Sequence, residues 1–249
     1  MQGAKGEYNS LMSPIVEIHL GTIKPEYISR YLGYDESHMP SPLVVSLINS
    51  ESRWLHENIK SRGIYEIFPC KLPDDGTVVV NGKAFGSKVL RMHLEGSIFA
   101  AALAVTMGVE VDERITGLME QGQAAQSYIF NGMAAAATDC AADVVEMMIR
   151  EIVKKGGTPE IPGIVVDPAW KATRRFSPGY ADFVLENQAS MFELLNPGRI
   201  GLRLTSSSLM IPLKSITALI GVGPDVKTEG YPCDICDRCN ITECRYIDR

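Results

Sequence analysis

Long apolar runs are missing from this chain. No stretch of its 249 residues reaches the roughly 18 uninterrupted apolar residues of a membrane span. The opening MQGAKGEYNS carries no apolar core of a secretory signal, so the cytoplasm is the expected location. Basic clusters are missing as well. Lys and Arg number 24 against 30 Asp and Glu, a formal charge of −6. Phosphate binding needs clustered Lys and Arg, so nucleic acid is not an expected partner. There is no GxGxxG after a strand and no GxxxxGK[ST]; Gly221-Val222-Gly223-Pro224 is only a fragment of such a fingerprint. An apolar share of 45% and a charged share of 22% exclude disorder and collagen-like repeats. What remains is a globular chain of one or two domains.

Residues 24–33 read as a short helix, opened by Lys-Pro and closed at Gly33. A longer helix is expected over 42–61. IYEIFPCKL follows as a strand, and VVVNGKAF as a tight hairpin with Asn81-Gly82 at its tip. Residues 98–107 are almost wholly apolar; Gly108 stops them, which favours a strand, and Asp112 is expected to cap the next helix. Residues 184–196 form a helix, and IGLRLTSS and PLKSITALIGVG two strands. Between them, 158–182 is a long irregular stretch rich in Pro and Gly, the type of loop that often carries function.

The clearest helix spans 133–154. Cys140, Val144, Met148 and Ile152 fall on one face at helical spacing, and Asp139, Asp143, Glu146 and Arg150 on the other. Periodicity alone favours a core stripe and a solvated charged face. The other reading is a wet acidic face lining a polar ligand site.

The six cysteines are unevenly placed. Cys70 and Cys140 are isolated, whereas Cys233, Cys236, Cys239 and Cys244 crowd the C-terminal end. Four thiolates in that spacing can reach one tetrahedral zinc or one iron–sulfur cluster. A compositional boundary near Pro224 divides an apolar body, 1–224, from a Cys-rich metal-binding tail, 225–249. His93-x-Glu95 with Pro232-Cys233-x-x-Cys236 spells a zinc deaminase signature. Its halves lie far apart in sequence, without βαβ alternation between them, which leaves a zinc hydrolase a distant alternative. None of the four histidines, His19, His38, His56 and His93, fits the DxHxxG of corrinoid-binding domains.

Arg175-Phe-Ser-Pro-Gly-Tyr180 is the most informative segment. Pro178-Gly179 makes a tight turn that lets backbone approach a ligand. Arg175 can grip a carboxylate bidentately, and Tyr180 can offer a ring face to a cation. These groups suit an amino-acid sulfonium. Taken alone, they are better read as an ordinary Pro-Gly turn with a surface Arg.

RFSPGY, the following LENQASMFELL and then IGLRLTSSSLMIPLKSITALIGVG resemble the activation domain of cobalamin-dependent methionine synthase. The family's RxxPGY signature corresponds to Arg175 to Tyr180, and its LTxSxxMxP segment to Leu204 to Pro212. GSIFAAALAVTMGVEVDE is similar to the family's apolar strand and V-T-x-G turn, and RYLGY at 30–34 to the start of stand-alone members. The resemblance implies an α+β fold, a twisted antiparallel sheet flanked by helices. It implies S-adenosylmethionine as ligand and reductive reactivation of a corrinoid as activity, a methyltransferase-class role in methionine biosynthesis. The corrinoid would be supplied by a partner, a corrinoid-binding methyltransferase or methionine synthase. The electron would come from flavodoxin or a ferredoxin-like donor.

By the same resemblance, Arg175 holds the methionyl carboxylate, and the backbone at Ser177 and Gly179 meets the adenosyl part. Tyr180 packs near the sulfonium or adenine. Asp143, with Asp139 as rival, is the acidic contact from the preceding helix. Ser208 and Lys214-Ser215 shape the site from neighbouring strands. Ile220 and Gly221 depart from the family's aromatic and serine contacts, and the Cys tail has no counterpart in the fused enzyme. An iron–sulfur cluster there could relay the electron. The competing readings are a non-catalytic adaptor with a structural zinc and an electron-transfer module with a dead S-adenosylmethionine site.

Overall fold

The computed structural model describes residues 14–21, 23, 25–34, 37–156 and 166–228. In chain order the elements are β1 (Ile15–Ile18), α1 (Pro25–Tyr31), α2 (Pro42–Asn58), β2 (Ser61–Lys71), β3 (Val78–Val80), β4 (Lys83–Phe85), α3 (Lys88–His93), β5 (Phe99–Thr106), α4 (Val109–Glu120) and α5 (Ala124–Lys154). After these come β6 (Lys171–Ala172), α6 (Gln188–Leu195), β7 (Arg203–Leu204), β8 (Met210–Ile211) and β9 (Ser215–Gly223). Seven strands form one antiparallel sheet in the order β4-β3-β2-β5-β9-β6, with β1 also paired to β2. The expected α+β architecture, an antiparallel sheet flanked by helices, is the one observed.

The sheet centres on β5, whose sequence FAAALAVT is apolar up to its last residue, Thr106, because both of its faces are covered. Ala101, Leu103 and Val105 point into the layer built by α5. Ala100, Ala102 and Ala104 point into the opposite layer, with Leu90 of α3, Phe176, Phe183 and Met191 of α6. A strand buried on both faces loses the alternation of a half-exposed one.

Helix α5 is 31 residues long, about 46 Å at 1.5 Å per residue. It starts nine residues before the expected 133, because Ala124 to Gly132 continue the helix beneath α1. Its core stripe is Ala134, Ala137, Ala141, Val145 and Ile149. A Cβ on Gly132 would come within 2.6 Å of Leu32, so the glycine lets α1 lie close. The solvated charged face favoured by periodicity is not found: Asp139 and Glu146 are buried, at 9% and 4% exposure.

Two further expectations are corrected. Gly108, with φ of 92°, is the N-cap of α4, and Asp112 lies within its first turn. There its carboxylate accepts the Leu213 amide at 2.8 Å. IGLRLTSS contributes only the two-residue β7, paired with β8 in a small separate sheet. The hairpin holds: Asn81 and Gly82 both take positive φ, 46° and 78°, as a two-residue primed turn requires. Among the described residues no helix is long and apolar enough to cross a membrane.

Candidate ligand-binding site

Arg175 is the hub of a charge cluster spread along α5. Its Nη2 lies 3.0 Å from Asp139 Oδ1, and its Nη1 lies 3.0 Å from Glu146 Oε2 and also pairs with Asp143. Three carboxylates at i, i+4 and i+7 share one helix face, which is why a single guanidinium reaches all of them. Glu146 turns its other oxygen to Arg150, 2.7 Å from Nη2. Arg150 in turn donates to the carbonyls of Ala172 and Thr173, at 2.8 and 2.6 Å. Tyr31 of α1 donates to Asp139 from the far side.

Burial works against the charge on Arg175, and the carboxylates of Asp143, Asp139 and Glu146 outweigh it, raising its pKa. Arg175 therefore keeps its charge, in a cluster that sets three carboxyl side chains against two guanidinium side chains. The cluster opens to solvent at one member. The side chain of Asp143 is 44% exposed, while those of Asp139 and Glu146 are 13% and 6% exposed.

The backbone of 173–176 aims Arg175. Thr173 pairs with Gly221, and Phe176 pairs both ways with Leu219 of β9, at 2.8 and 2.9 Å. Phe176 is thus buried on the sheet, and Arg175 points toward α5 by strand alternation. Beyond it the chain turns sharply. Gly179 has a φ of 101°, which favours glycine, and its amide donates to the Phe183 carbonyl at 2.7 Å. Pro178 is buried and Ser177 partly so. Tyr180 is 42% exposed, its ring 6.3 Å from that of Phe176.

The structure brings Arg175, Asp139 and Asp143 into direct contact, with Ser177, Gly179 and Tyr180 on the adjoining turn. Both rival aspartates reach Arg175. Ser208 lies in the turn Thr205–Leu209, with a positive φ of 62° and its amide bonded to the Thr205 carbonyl. Lys214 lies at the start of β9 near Asp112; burial lowers its pKa and Asp112 opposes that. Gly221 is packed rather than open: a Cβ there would meet Ser97 Oγ at 2.2 Å. Cys233, Cys236, Cys239 and Cys244 lie outside the described residues. Burial pushes the Cys70 thiol up to about 11, which leaves it protonated.

Sequence reasoning left His93, Asp182 and Arg150 out of the site. Arg150 shares the α5 face with Asp139, Asp143 and Glu146, so its signal was present. His93 and Asp182 join the site only through tertiary contacts; nothing local marks Asp182, and the His93-x-Glu95 pattern points to a different chemistry.

Comparison with known proteins identifies the family and the fold. The family model described as vitamin B12 dependent methionine synthase, activation domain, matches residues 89–238. That is more than half of the chain, and the chain belongs to this family. A solved structure described as the MetH reactivation domain bound to AdoHcy aligns with a TM-score of 0.60 and 16% identity. The alignment covers 88% of this chain and 82% of that one, and it establishes a shared fold. No curated protein sequence matches the chain.

Proposed function

We propose that this protein binds S-adenosylmethionine at the Arg175 cluster and uses it to reactivate a separate corrinoid-dependent methyltransferase, such as methionine synthase. The observation that carries this reading is the buried Arg175 fork. It opens an RxxPGY turn and faces Asp139, Asp143 and Glu146 within a family-matched segment. Family membership and the fold shared with a reactivation domain bound to AdoHcy support it.

The residues fit such a ligand. Arg175 offers the planar donor pair that a carboxylate takes bidentately. Its cluster carries one more carboxylate than it has guanidiniums, and the solvent-facing member is Asp143. That surplus suits the ligand's cationic groups, the ammonium and the sulfonium. The ligand carboxylate must share Arg175 with resident acids, so Asp143, the most exposed of the three, is the one expected to yield. Ser177 and Gly179 would meet the adenosyl part, and Tyr180 would supply an exposed ring face. Ser208 and Lys214 would contribute from the β8–β9 side.

In this reading the bound ligand supplies a methyl group to a one-electron-reduced corrinoid cobalt held by the partner, leaving S-adenosylhomocysteine. This chain binds and orients the donor; no side chain here needs to move a proton. The described residues are taken up by the activation-domain fold, so the corrinoid is expected on another protein or segment. Flavodoxin or a ferredoxin-like protein would supply the electron, in the cytoplasm. The tail Cys233, Cys236, Cys239 and Cys244 is proposed to hold an iron–sulfur cluster or zinc. Metal analysis of anaerobically purified protein separates the two: iron with visible absorption supports a relay, colourless zinc a structural tail, and no metal removes the tail from the account.

The test of the ligand site is calorimetry with S-adenosylmethionine on wild type and Arg175→Lys. Losing a charge-assisted fork contact is expected to weaken binding about ten- to a hundredfold. Unaltered binding in Arg175→Lys would place the ligand elsewhere. Adaptor and electron-transfer readings predict no binding at all.

A further inference from the structure

We propose that α3 is a two-ended brace that holds the Arg175–Tyr180 turn in its binding shape, with His93 and Asp182 as its positioning residues. The proposal rests on the reading of that turn as the ligand site, and it has a readout that does not require a ligand.

The brace is visible in the hydrogen bonds at the two ends of a six-residue helix. At the C-terminal end of α3, His93 Nε2 lies 2.6 Å from the carbonyl oxygen of Arg174. A carbonyl can only accept, so Nε2 carries the proton and donates. The same carbonyl accepts from Thr173 Oγ1 at 2.8 Å. At the N-terminal end, the carboxylate of Asp182 accepts from Ser87 Oγ at 2.5 Å, from the Lys88 amide at 2.8 Å and from the Val89 amide at 3.2 Å. Asp182 therefore satisfies amides at the start of α3 that have no partner within the helix.

The two anchor points bracket the hexapeptide in sequence. Arg174 immediately precedes it, and Asp182 follows it by two residues. The ring of His93 also lies 5.4 Å from that of Phe176, which stacks on Phe183 at 6.0 Å. Phe183 packs on Phe85, 5.8 Å away, just before α3. Both flanks of the turn are thus tied to one short rigid element, and Leu90 roots that element in the core.

A brace of this kind matters because Arg175 must present its fork within tight angular limits. Precise positioning by supporting hydrogen bonds is what keeps such a site from being loosely formed. Among the described hydrogen bonds, those of His93 and Asp182 go to Arg174, Ser87, Lys88 and Val89 rather than to the carboxylates that hold Arg175, although the charge of Glu146 reaches His93, so their positioning effect runs through the backbone at 174 and 182.

The test uses His93→Leu, His93→Gln and Asp182→Ala in the full chain. Gln can place an amide N–H near the position of Nε2, whereas Leu keeps the bulk and loses the donor. Hydrogen exchange is followed at the Phe176, Gly179 and Phe183 amides, all bonded within or beside the turn. About tenfold faster exchange there is expected in His93→Leu and Asp182→Ala, with α5 amides unchanged, and near wild-type exchange in His93→Gln. S-adenosylmethionine affinity, by calorimetry, is expected to fall about tenfold in the first two and recover in the third. Unchanged exchange in His93→Leu and Asp182→Ala overturns the brace. So does a His93→Gln protein as impaired as His93→Leu. Faster exchange in His93→Leu and Asp182→Ala, beside a wild type that binds no ligand, would leave the brace standing as a structural device and remove the functional reading instead.

Discussion

Arg175 and Glu146 meet at 3.0 Å across 29 residues of sequence, and Glu146 uses its second oxygen for Arg150. That carboxylate therefore ties the RxxPGY turn to α5 and, through Arg150, to the backbone of β6. The binding turn and the sheet edge are registered against one helix by one buried side chain.

Arg175→Ala takes a guanidinium partner from the buried Asp139 and Glu146, leaving Tyr31 on the first and Arg150 on the second. Breaking a buried pair from one side typically costs about 3–5 kcal/mol. Denaturant unfolding of Arg175→Ala is expected to show a loss of that order, with Arg175→Lys much nearer wild type. A loss below about 1 kcal/mol in Arg175→Ala would mean that water hydrates the cluster.

Glu146 and Asp143 are expected to separate stability from binding. Glu146→Gln removes a buried charge shared by two arginines, so unfolding should come at clearly lower denaturant. Asp143 is the solvent-facing member, and Asp143→Asn should change stability by no more than about 1 kcal/mol. Its expected effect is on affinity for a cationic ligand. Equal stability losses in the two variants would contradict the burial difference.

Burial holds the pKa of His93 below its ordinary 6.5, and the Arg174 carbonyl and the charge of Glu146 on α5 oppose that without reversing it. The folded protein thus binds this proton less readily than the unfolded chain. The stability contribution is present above 6.5 and is lost as pH falls through the folded value. Stability of wild type should fall as the pH drops below about 6.5 more steeply than that of His93→Gln. Parallel curves for the two proteins would show that His93 titrates as it does in the unfolded chain.

The close approach of β9 to the loop after α3 gives a purely steric expectation. A Cβ on Gly223 would lie 2.2 Å from the Gly96 carbonyl oxygen, and backbone cannot rotate away as a side chain can. Gly223→Ala is expected to cost about 1–3 kcal/mol by overpacking, read from its unfolding midpoint. A neutral substitution would mean that the loop shifts freely.

Much of the fold was legible because its signals are local. Asn81-Gly82 needs only turn geometry, and 98–107 needs only an apolar run stopped by Gly108. The charged face of α5 was legible as a pattern but not as an environment. Periodicity places Asp139, Asp143 and Glu146 together, yet it cannot show that Arg175, tens of residues onward, covers them. Asp112 was misread because a residue of good capping chemistry can equally serve a distant amide, here that of Leu213. IGLRLTSS reads as a strand by composition, but its partners were taken by a small side sheet. His93 and Asp182 carry no local signature of this role, since what they do depends on both ends of α3 meeting a loop some 80 residues away in sequence.

The most direct measurement is anaerobic calorimetry of S-adenosylmethionine binding to the wild-type chain, beside a folded Arg175→Lys variant. The account predicts saturable binding by wild type that weakens at least about tenfold in the variant. No binding by correctly folded wild type at millimolar ligand would contradict it, and so would tight binding indifferent to Arg175.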